Sequence, residues 1–497
     1  MARNEIMLQY SGFVIFAAKM LSIVTGLLFQ LMVARSTTIS DYGIWFNISD
    51  LTAYFTIFAG VFPFWALRFT ARNKKGAIKT GFATNLTLSI IAAMVYLLLI
   101  PLTTSMLGIS QKYVLLYLLA SMQIIEVYIL NSLESCIQAK MPHTLGYALI
   151  LAEMSKVILG YTLIIRLQLS LFGALISIVV GIAVQLTYYS RLLIEELKEK
   201  VTWTYIREWA KASIANIYNV IGNQIAALIF IMLFNYGGKA ARGNYGAAAQ
   251  IANIITYSSF LAFALYPKLL SEKSSKDISI ALKMVLMFAL PMTAGALSIP
   301  DSYLTLLNSE YIEAWPILIV LAIDAFVATI SSFFNFVLYG FERLDEKAKI
   351  SFRELVKSRL FIAFSLPYIH SAITLPATFY VLTNYTQNQP VPSALAVAII
   401  NSTARFAMFL ILYTMVRRMT EIKIPWRNIA KYLFASAVMA TVVYTIPHPT
   451  RIYLTLSVTA LGGIIYLALL MAIDKETRTL AHSVWQEIKI KFKGVPA

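Results

Sequence analysis

Long apolar runs separated by short polar turns follow one another along the whole chain. Runs of about 20 residues are long enough for a helix to cross roughly 30 Å of hydrocarbon, and they lack the alternation of barrel strands. The chain is therefore predicted to be an all-α polytopic membrane protein. The pattern predicts about fourteen spans, at 9–33, 44–67, 81–105, 113–138, 145–165, 170–190, 212–234, 245–266, 280–299, 315–340, 359–383, 393–416, 430–447 and 452–472.

Composition supports this prediction. Of the 497 residues, 59% are hydrophobic and 13% are charged, whereas soluble proteins carry about 25% charged residues. The first apolar run is too long for a cleaved signal peptide and is expected to remain as a helix. A single cysteine, Cys136, excludes an internal disulfide framework, and the four histidines lack metal-ligand spacing.

Basic residues are distributed unevenly between the two predicted sides of the membrane. With a cytoplasmic N-terminus, 32 Lys and Arg residues fall on the cytoplasmic side. This bias predicts that both termini are cytoplasmic. The net charge of +17 then faces anionic lipid, so nucleic acid is not expected as a partner. The six basic residues on the opposite side are Arg35, Lys112, Arg166, Lys239, Arg242 and Arg451.

A short motif recurs at an offset of 203 residues, as Asp41-Tyr42-Gly43 and Asn244-Tyr245-Gly246. Six predicted spans separate the copies, which predicts a parallel repeat. The lobes would be 1–195 and 205–418, followed by two additional helices within 429–472 and a basic cytoplasmic tail, 473–497. The alternative is chance recurrence of a Tyr-Gly turn. The matched polar pairs are Asn47 with Gln250, Asp50 with Asn253, and Tyr54 with Tyr257.

The stretch from Lys19 to Leu51 resembles the opening of the Wzx-like polysaccharide flippases, in the multidrug/oligosaccharidyl-lipid/polysaccharide (MOP) exporter superfamily. The shared features are the basic Lys19, Ala34-Arg35 before the turn, and Asp41-Tyr42-Gly43; Ser-Thr-Thr replaces the usual Leu-Gly after Ala34-Arg35. The resemblance implies two MATE-like lobes in a prokaryotic plasma membrane. It also implies outward flipping of a lipid-linked (pyro)phosphate oligosaccharide by alternating access, without catalysis. Expected partners are the bilayer, a polyprenyl- or dolichyl-linked saccharide and glycan-assembly enzymes.

Polar side chains inside the predicted spans are candidates for substrate binding. A charge at the bilayer centre costs about 2.5–3.5 kcal/mol, so each should face protein or water. Lys19 could bind a phosphate as a point charge or form a buried pair with Asp50 or another acid. Amides and tyrosines suit a sugar-binding cavity, although amides also join helices directly. The remaining candidates on helices 2, 7 and 8 are Asn47, Asp50, Tyr54, Asn216, Asn219, Asn223, Gln250, Asn253 and Tyr257.

Other intramembrane charges are expected to form ion pairs. Glu153 and Lys156 are three residues apart on one predicted helix, which favours a salt bridge, although Glu126 or Glu134 could replace Glu153. Asp324 and Arg405 are expected to pair, with a second phosphate contact by Arg405 as the alternative. The candidates for ion coupling are Asp50, Glu153 and Asp324. No cofactor is expected apart from such a coupling Na⁺ or H⁺.

Two other functions compete with a flippase. The chain lacks a Gly-x-x-x-x-Gly-Lys nucleotide loop, which argues against an ATP-driven pump. An ion-coupled multidrug or cation antiporter of the same superfamily would share the fold and the carboxylates. A membrane glycosyltransferase or polymerase would need a substantial outer loop with catalytic residues, and the predicted outer loops are short and nearly uncharged. The chain is therefore expected not to be an enzyme.

Overall fold

A computed structural model describes residue 18 and residues 21–262, 275–341, 359–420 and 422–478. Every regular element in these ranges is helical, which confirms the predicted fold class. Lys19 lies outside the described residues, as do residues 479–497 of the predicted tail. The described residues form two compact units, one drawn from Met1–Gly246 and Leu344–Val397, the other from Ala247–Arg343 and Ala398–Ala497. The predicted lobes stay a prediction.

Within residues 21–262, the described part of the first half, the chain forms twelve α-helices. Helix α6 continues into a π-helical turn at Tyr161–Arg166, α11 into another at Leu233–Gly237, and α12 into a 3₁₀ turn at Tyr257–Ala262. The helices are α1 Leu21–Arg35, α2 Ile39–Phe55, α3 Val61–Ala71, α4 Ala77–Met106, α5 Gln111–Lys140, α6 His143–Gly160, α7 Ser170–Leu192, α8 Ile194–Leu197, α9 Trp203–Ala212, α10 Ile214–Ala226, α11 Leu228–Met232 and α12 Lys239–Thr256.

Seven further helices follow in the described part of the second half. They are α13 Ser275–Ser298, α14 Pro300–Leu307, α15 Trp315–Phe341, α16 Arg359–Asn384, α17 Pro390–Arg417, α18 Trp426–Thr445 and α19 Ile452–Ile473. Within the described ranges, nine helical stretches are long and apolar enough to cross a membrane. Each of the nine falls on a predicted span, and the described parts of the other five predicted spans are also largely helical.

The second predicted span, 44–67, is broken rather than continuous. Pro63 has no N–H group to donate to Ala59 one turn earlier, so a continuous helix would lose that hydrogen bond. The chain instead ends α2 at Phe55 and begins α3 at Val61. The Ala59 carbonyl accepts a bond from Asn85 Nδ2 at 3.0 Å. The buried Asn85 therefore replaces the hydrogen bond that proline removes.

The seventh predicted span, 212–234, is also divided, and the eighth begins earlier than predicted. The residues of the seventh span form α10, α11 and the π-helical turn that ends at Gly237. Gly238 has φ +92°, a left-handed conformation that glycine adopts without strain, and α12 then begins at Lys239 instead of residue 245. The earlier start places Arg242 inside a helix, which corrects its prediction as a loop residue.

Loops that were predicted to share a side of the membrane meet in the first unit. At one end, Gly76 N–H donates to Glu199, Tyr205 donates to the Lys75 carbonyl, and Lys140 pairs with Glu196. At the other end, a cavity of about 430 Å³ is lined by Ser40, Leu107, Phe234, Asn235, Gly237, Gly238, Lys239, Ala240, Asn388 and Pro390. Its lining comes from four predicted outer loops and the helix ends beside them. The grouping of these loops is confirmed, and the side that each end faces stays a prediction.

The second unit shows the same grouping. Lys283 pairs with Glu476 at 2.7 Å, and Lys431 pairs with Asp474 at 2.8 Å. These pairs join the predicted cytoplasmic ends of spans 280–299 and 430–447 to the predicted tail. His448 pairs with Asp301, which joins two predicted outer loops. The C-terminal helices α18 and α19 pack onto α13 within this unit.

Aromatic side chains build the core at one end of the first unit, while apolar side chains cover its outer surface. The buried core includes Trp65, Phe69, Tyr189 and Trp209, and Trp65 Nε1 donates to Ser213 Oγ at 2.9 Å. The exposed surface of helix α4 carries a run of large apolar side chains, and Leu98 is 79% exposed. A helix that exposes such residues is suited to contact lipid tails rather than water.

Candidate functional site

A buried ion pair joins α2 to the first turn of α12. Arg242 Nε donates to Asp50 Oδ2 at 2.7 Å, and a terminal guanidinium nitrogen donates to Oδ1 at 2.8 Å. The Arg242 and Asp50 side chains are only 6% and 13% exposed, respectively. This bidentate geometry is the strong form of an Arg–carboxylate interaction.

Aromatic rings surround the Arg242 guanidinium. Its central carbon lies 4.7 Å from the ring centre of Phe46 and 4.9 Å from that of Phe230, with Tyr245 at 5.9 Å. Cations are attracted to ring faces, and the attraction strengthens when water is excluded. The rings therefore stabilise the guanidinium where it pairs with Asp50.

The other polar residues of α2 face side chains from α5 and α10. Asn47 Oδ1 accepts a bond from Tyr117 at 2.6 Å, whereas Asn47 Nδ2 has no partner among the described residues. The hydroxyl of Tyr54 lies near the side-chain amide of Gln224 without meeting hydrogen-bond geometry. Buried polar groups are normally satisfied, so these groups could still accept or donate hydrogen bonds to another molecule. We call this set the Asp50 cluster: Asn47, Asp50, Tyr54, Tyr117, Gln224 and Arg242.

Glycine residues bring α2 and α12 into backbone contact beside the cluster. A Cβ atom on Gly43 would lie 1.9 Å from the Lys239 carbonyl oxygen, and one on Gly243 would lie 2.1 Å from the Ile39 carbonyl oxygen. A Cβ on Gly246 would lie 2.0 Å from the Phe46 ring. The glycines of both Tyr-Gly motifs therefore permit a close helix crossing, a role that the sequence analysis did not assign to them.

The predicted asparagine stripe of helix 7 lies on α10. Asn216 and Asn219 are half-buried and Asn223 is exposed. Asn223 Nδ2 donates to the Asn219 carbonyl at 2.9 Å and to Asn219 Oδ1 at 3.3 Å. An exposed amide inside a membrane-spanning segment is costly against hydrocarbon, so this position favours contact with water.

The predicted residues of helix 8 belong to the second unit. Gln250 and Tyr257 are half-buried, and Asn253 is exposed. Gln250 and Asn253 lie on α12, while Tyr257 begins the following 3₁₀ turn. The convergence of this stripe with the Asp50 cluster on one cavity stays a prediction.

The predicted Glu153–Lys156 salt bridge is confirmed, at 2.7 Å. Thr25 on α1 also donates to Glu153, at 2.5 Å. The alternatives in which Glu126 or Glu134 pairs with Lys156 are wrong, because Lys156 pairs with Glu153 on its own helix. Glu134 accepts from Gln185 at 2.8 Å. Lys156 therefore neutralises the Glu153 carboxylate within α6.

The predicted Asp324–Arg405 pair is also confirmed, within the second unit. One terminal guanidinium nitrogen of Arg405 donates to Asp324 Oδ2. Asp324 is 6% exposed, but Arg405 is 38% exposed. Part of the guanidinium therefore remains accessible for another interaction.

Arg242 is the principal residue that the sequence analysis missed. It was counted among the few outer-side basic residues, because the eighth span was predicted to begin at residue 245. The repeat contained a usable signal, since Arg242 aligns at the 203-residue offset with Ile39, the first residue of α2. Applying the repeat to helix starts would have placed Arg242 in a first helical turn.

Comparison with known proteins finds no matching family model and no matching curated protein. Solved structures do match. An inward-facing multidrug resistance MATE family transporter of the MOP superfamily has a TM-score of 0.58 and 13% identity, covering 80% of this chain and 94% of that one. The lipid II flippase MurJ in an inward closed conformation has a TM-score of 0.54 and 15% identity, covering 93% and 98%.

An outward-facing MATE family transporter matches as well, with a TM-score of 0.51 and 12% identity, covering 84% of this chain and 96% of the other. Sequence identities this low establish similarity of fold alone. The similarity nevertheless extends over most of both chains in each comparison. The chain therefore has the fold of the MOP superfamily transporters.

Proposed function

We propose that this protein flips a lipid-linked (pyro)phosphate oligosaccharide from the cytoplasmic to the outer leaflet by alternating access. The fold supports a membrane transporter, because the matching structures are described as transporters and a flippase. One of them is described as a lipid II flippase. We propose that this chain likewise moves a lipid-linked molecule.

The observation that carries the proposal is the chemistry of the Asp50 cluster. Its two charges neutralise each other, and the rest of its polar surface consists of amides and phenols. Asn47, Tyr54 and Gln224 each retain a polar atom with no hydrogen-bond partner among the described residues. Neutral groups that donate and accept hydrogen bonds suit the hydroxyls of a saccharide.

Phosphate recognition is assigned to cationic side chains. Lys19 and the accessible part of Arg405 are the proposed phosphate contacts, and the amides of the α10 and α12 stripes are proposed to contact sugar. Coupling by Na⁺ or H⁺ at Asp50, Glu153 or Asp324 remains part of the proposal. Each of these carboxylates is paired with a cationic side chain. A coupling ion would therefore have to displace or compensate that partner.

The same pairing disfavours the antiporter alternative. A site for a cationic drug requires a carboxylate that is free to neutralise the drug, and the three candidate carboxylates already have cationic partners. An antiporter would have to break an ion pair during each binding event. A saccharide could use the unpaired amide and phenol groups without breaking one.

A reconstitution experiment tests the proposal. Purified protein is placed in liposomes with a fluorescent polyprenyl-diphosphate-linked saccharide, and a membrane-impermeant quencher measures how quickly the label changes leaflet. We expect rapid exchange, a loss of exchange in Lys19→Ala and in Asn219→Leu/Asn223→Leu, and no loss in the lipid-facing control Leu98→Ala. Uptake of a lipophilic cation against its gradient, without saccharide exchange, would instead support the antiporter.

A further inference from the structure

We propose that the crossing of α2 and α12, together with the Asp50–Arg242 ion pair, is a gate that separates and closes in each transport cycle. We further propose that Arg242 is the residue that holds this gate closed. The inference rests on the proposed alternating-access function and adds a regulated barrier to it. It assigns to Arg242 a role as a positioning residue rather than a direct contact with substrate.

The order of residues along α2 places the crossing between two polar regions. Ser40, at the beginning of the helix, lines the 430 Å³ cavity at the end formed by the predicted outer loops. Gly43 and Phe46, one and two turns further along, make the contacts with α12. Asn47, Asp50 and Tyr54 follow and belong to the Asp50 cluster. Along α2, the crossing therefore lies between the 430 Å³ cavity and the Asp50 cluster.

The crossing is tight but does not depend on interlocking side chains. The carbonyls of Lys239 and Ile39 occupy the spaces where Cβ atoms of Gly43 and Gly243 would be. Packing at this distance excludes water between the helices, as a closed barrier requires. Because backbone meets backbone without interdigitated rotamers, the helices can separate without rearranging side chains between these glycines.

The ion pair supplies a specific interaction that holds the crossing closed. Two charge-assisted hydrogen bonds link the helices, and two aromatic faces cover the guanidinium. Separating a buried pair exposes two charges that must regain water or new partners. The closed state is therefore well defined, and any ligand or water that compensates either charge shifts the equilibrium towards opening.

A second set of contacts supports the same closed position. Tyr113 donates to Asp41 at the start of α2, and Lys239 Nζ at the start of α12 donates to the Gly108 carbonyl at 2.9 Å. The loop between α4 and α5 and the start of α5 therefore contact both helix starts on the outer side of the crossing. Movement of α12 away from α2 would have to break at least one of these contacts.

Cross-linking tests whether the crossing must open. The three atoms nearest to a Cβ on Gly246 all belong to the Phe46 ring, so Phe46→Cys/Gly246→Cys replaces the obstruction with a thiol. The native buried cysteine is removed by Cys136→Ala. A third introduced cysteine, Tyr54→Cys, reports access to the Asp50 cluster by a membrane-impermeant thiol reagent added from the outer side. Ser40→Cys in the outer cavity is the matched control for reagent access.

We expect complete disulfide cross-linking of the Phe46→Cys/Gly246→Cys variant to abolish saccharide exchange, which is measured with Tyr54 left in place because Tyr54 belongs to the proposed saccharide site. In the variant that also carries Tyr54→Cys, cross-linking should abolish labelling. Reductant should restore exchange in the first variant and labelling in the second. Labelling at Ser40→Cys should not change. Persistence of both labelling and exchange in fully cross-linked protein would overturn the gate. If labelling responds to cross-linking but no saccharide is ever flipped, the gate stands and the proposed cargo is wrong.

Charge variants provide an independent test without cross-linking. Arg242→Gln and Asp50→Asn should increase labelling of Tyr54→Cys from the outer side, because the closed state loses its ion pair. The exchanged pair Asp50→Arg/Arg242→Asp should return labelling towards that of the parent protein, and it remains informative if a single variant fails to fold. Equal labelling in the parent and in every folded variant would contradict the role of Arg242.

Discussion

Among the described residues, two aspartate–arginine pairs link helices, and they differ in how their arginines are held. Arg242 is 6% exposed, contacts both oxygens of Asp50 and lies between aromatic rings. Arg405 is 38% exposed and contacts one oxygen of Asp324. The same two residue types therefore form a closed link between helices in one unit and a partly accessible guanidinium in the other.

The difference shows that burial and coordination indicate the role of an intramembrane ion pair better than its composition does. A guanidinium whose donors are occupied and whose faces are covered can stabilise a structure but cannot bind cargo until it is released. A guanidinium with free donors can bind a phosphate while remaining paired. We therefore assign gating to Arg242 and propose phosphate contact for Arg405.

The largest expected effect comes from breaking the buried pair. Arg242→Gln leaves Asp50 without its cationic partner, and loss of one member of a buried pair typically costs about 3–5 kcal/mol. We expect a strong decrease in thermal stability in detergent, measured by unfolding of the purified protein. A change smaller than that caused by Asp324→Asn would show that the first pair is not the more tightly coupled one.

The glycine crossing provides the next largest effect. Gly43→Ala places a methyl group against the Lys239 carbonyl, and overpacking of this kind costs about 1–3 kcal/mol. Gly463→Ala on α19 is the matched control, because no atom lies within 4 Å of its added Cβ. We expect only the first variant to lower the unfolding temperature. Equal stability of the two variants would mean that the crossing adjusts easily to extra volume.

The stability of the protein should respond unequally to loss of the two members of the Asp324–Arg405 pair. Asp324→Asn leaves a partly exposed Arg405 that can recruit other partners, so we expect a loss of less than about 1 kcal/mol, as for exposed pairs. Arg405→Gln should cost more, because Asp324 is almost completely buried. Thermal unfolding of both variants measures this asymmetry. Equal losses would indicate that the pair acts as a closed link, as Asp50–Arg242 does.

The smallest effect is expected at a third acid–base pair, outside the membrane-spanning segments. Burial opposes ionisation of Glu196, but the Lys140 ammonium outweighs it and holds the pKa of that carboxyl below its ordinary value. Because the folded pKa is lower than the unfolded pKa of about 4.3, the contribution is present above that pH and disappears as pH falls through the folded pKa. We expect Glu196→Gln to weaken slightly the fall of the unfolding temperature between about pH 5 and pH 3. An unchanged profile would contradict this coupling.

Much of the architecture follows from local patterns in the sequence. Apolar runs predict helices because backbone groups in hydrocarbon must satisfy their own hydrogen bonds. The distribution of Lys and Arg predicts which loops share a side of the membrane. Within each unit, the structure confirms that loops predicted to share a side lie at the same end. Glu153 and Lys156 pair as predicted because residues three apart on a helix are neighbours wherever that helix lies. Such features depend on separations of a few residues, which the sequence states directly.

Contacts between distant helices required the tertiary structure. Asp50 pairs with Arg242, 192 residues away, because two glycine-containing helices cross closely enough for the guanidinium to reach the carboxylate. Likewise, Asn85 satisfies the Ala59 carbonyl that Pro63 leaves without its helical partner. The sequence by itself determined which segments are helical and which polar groups need partners. The three-dimensional packing alone decided which partners they have, because periodicity describes one helix and not its distance from another.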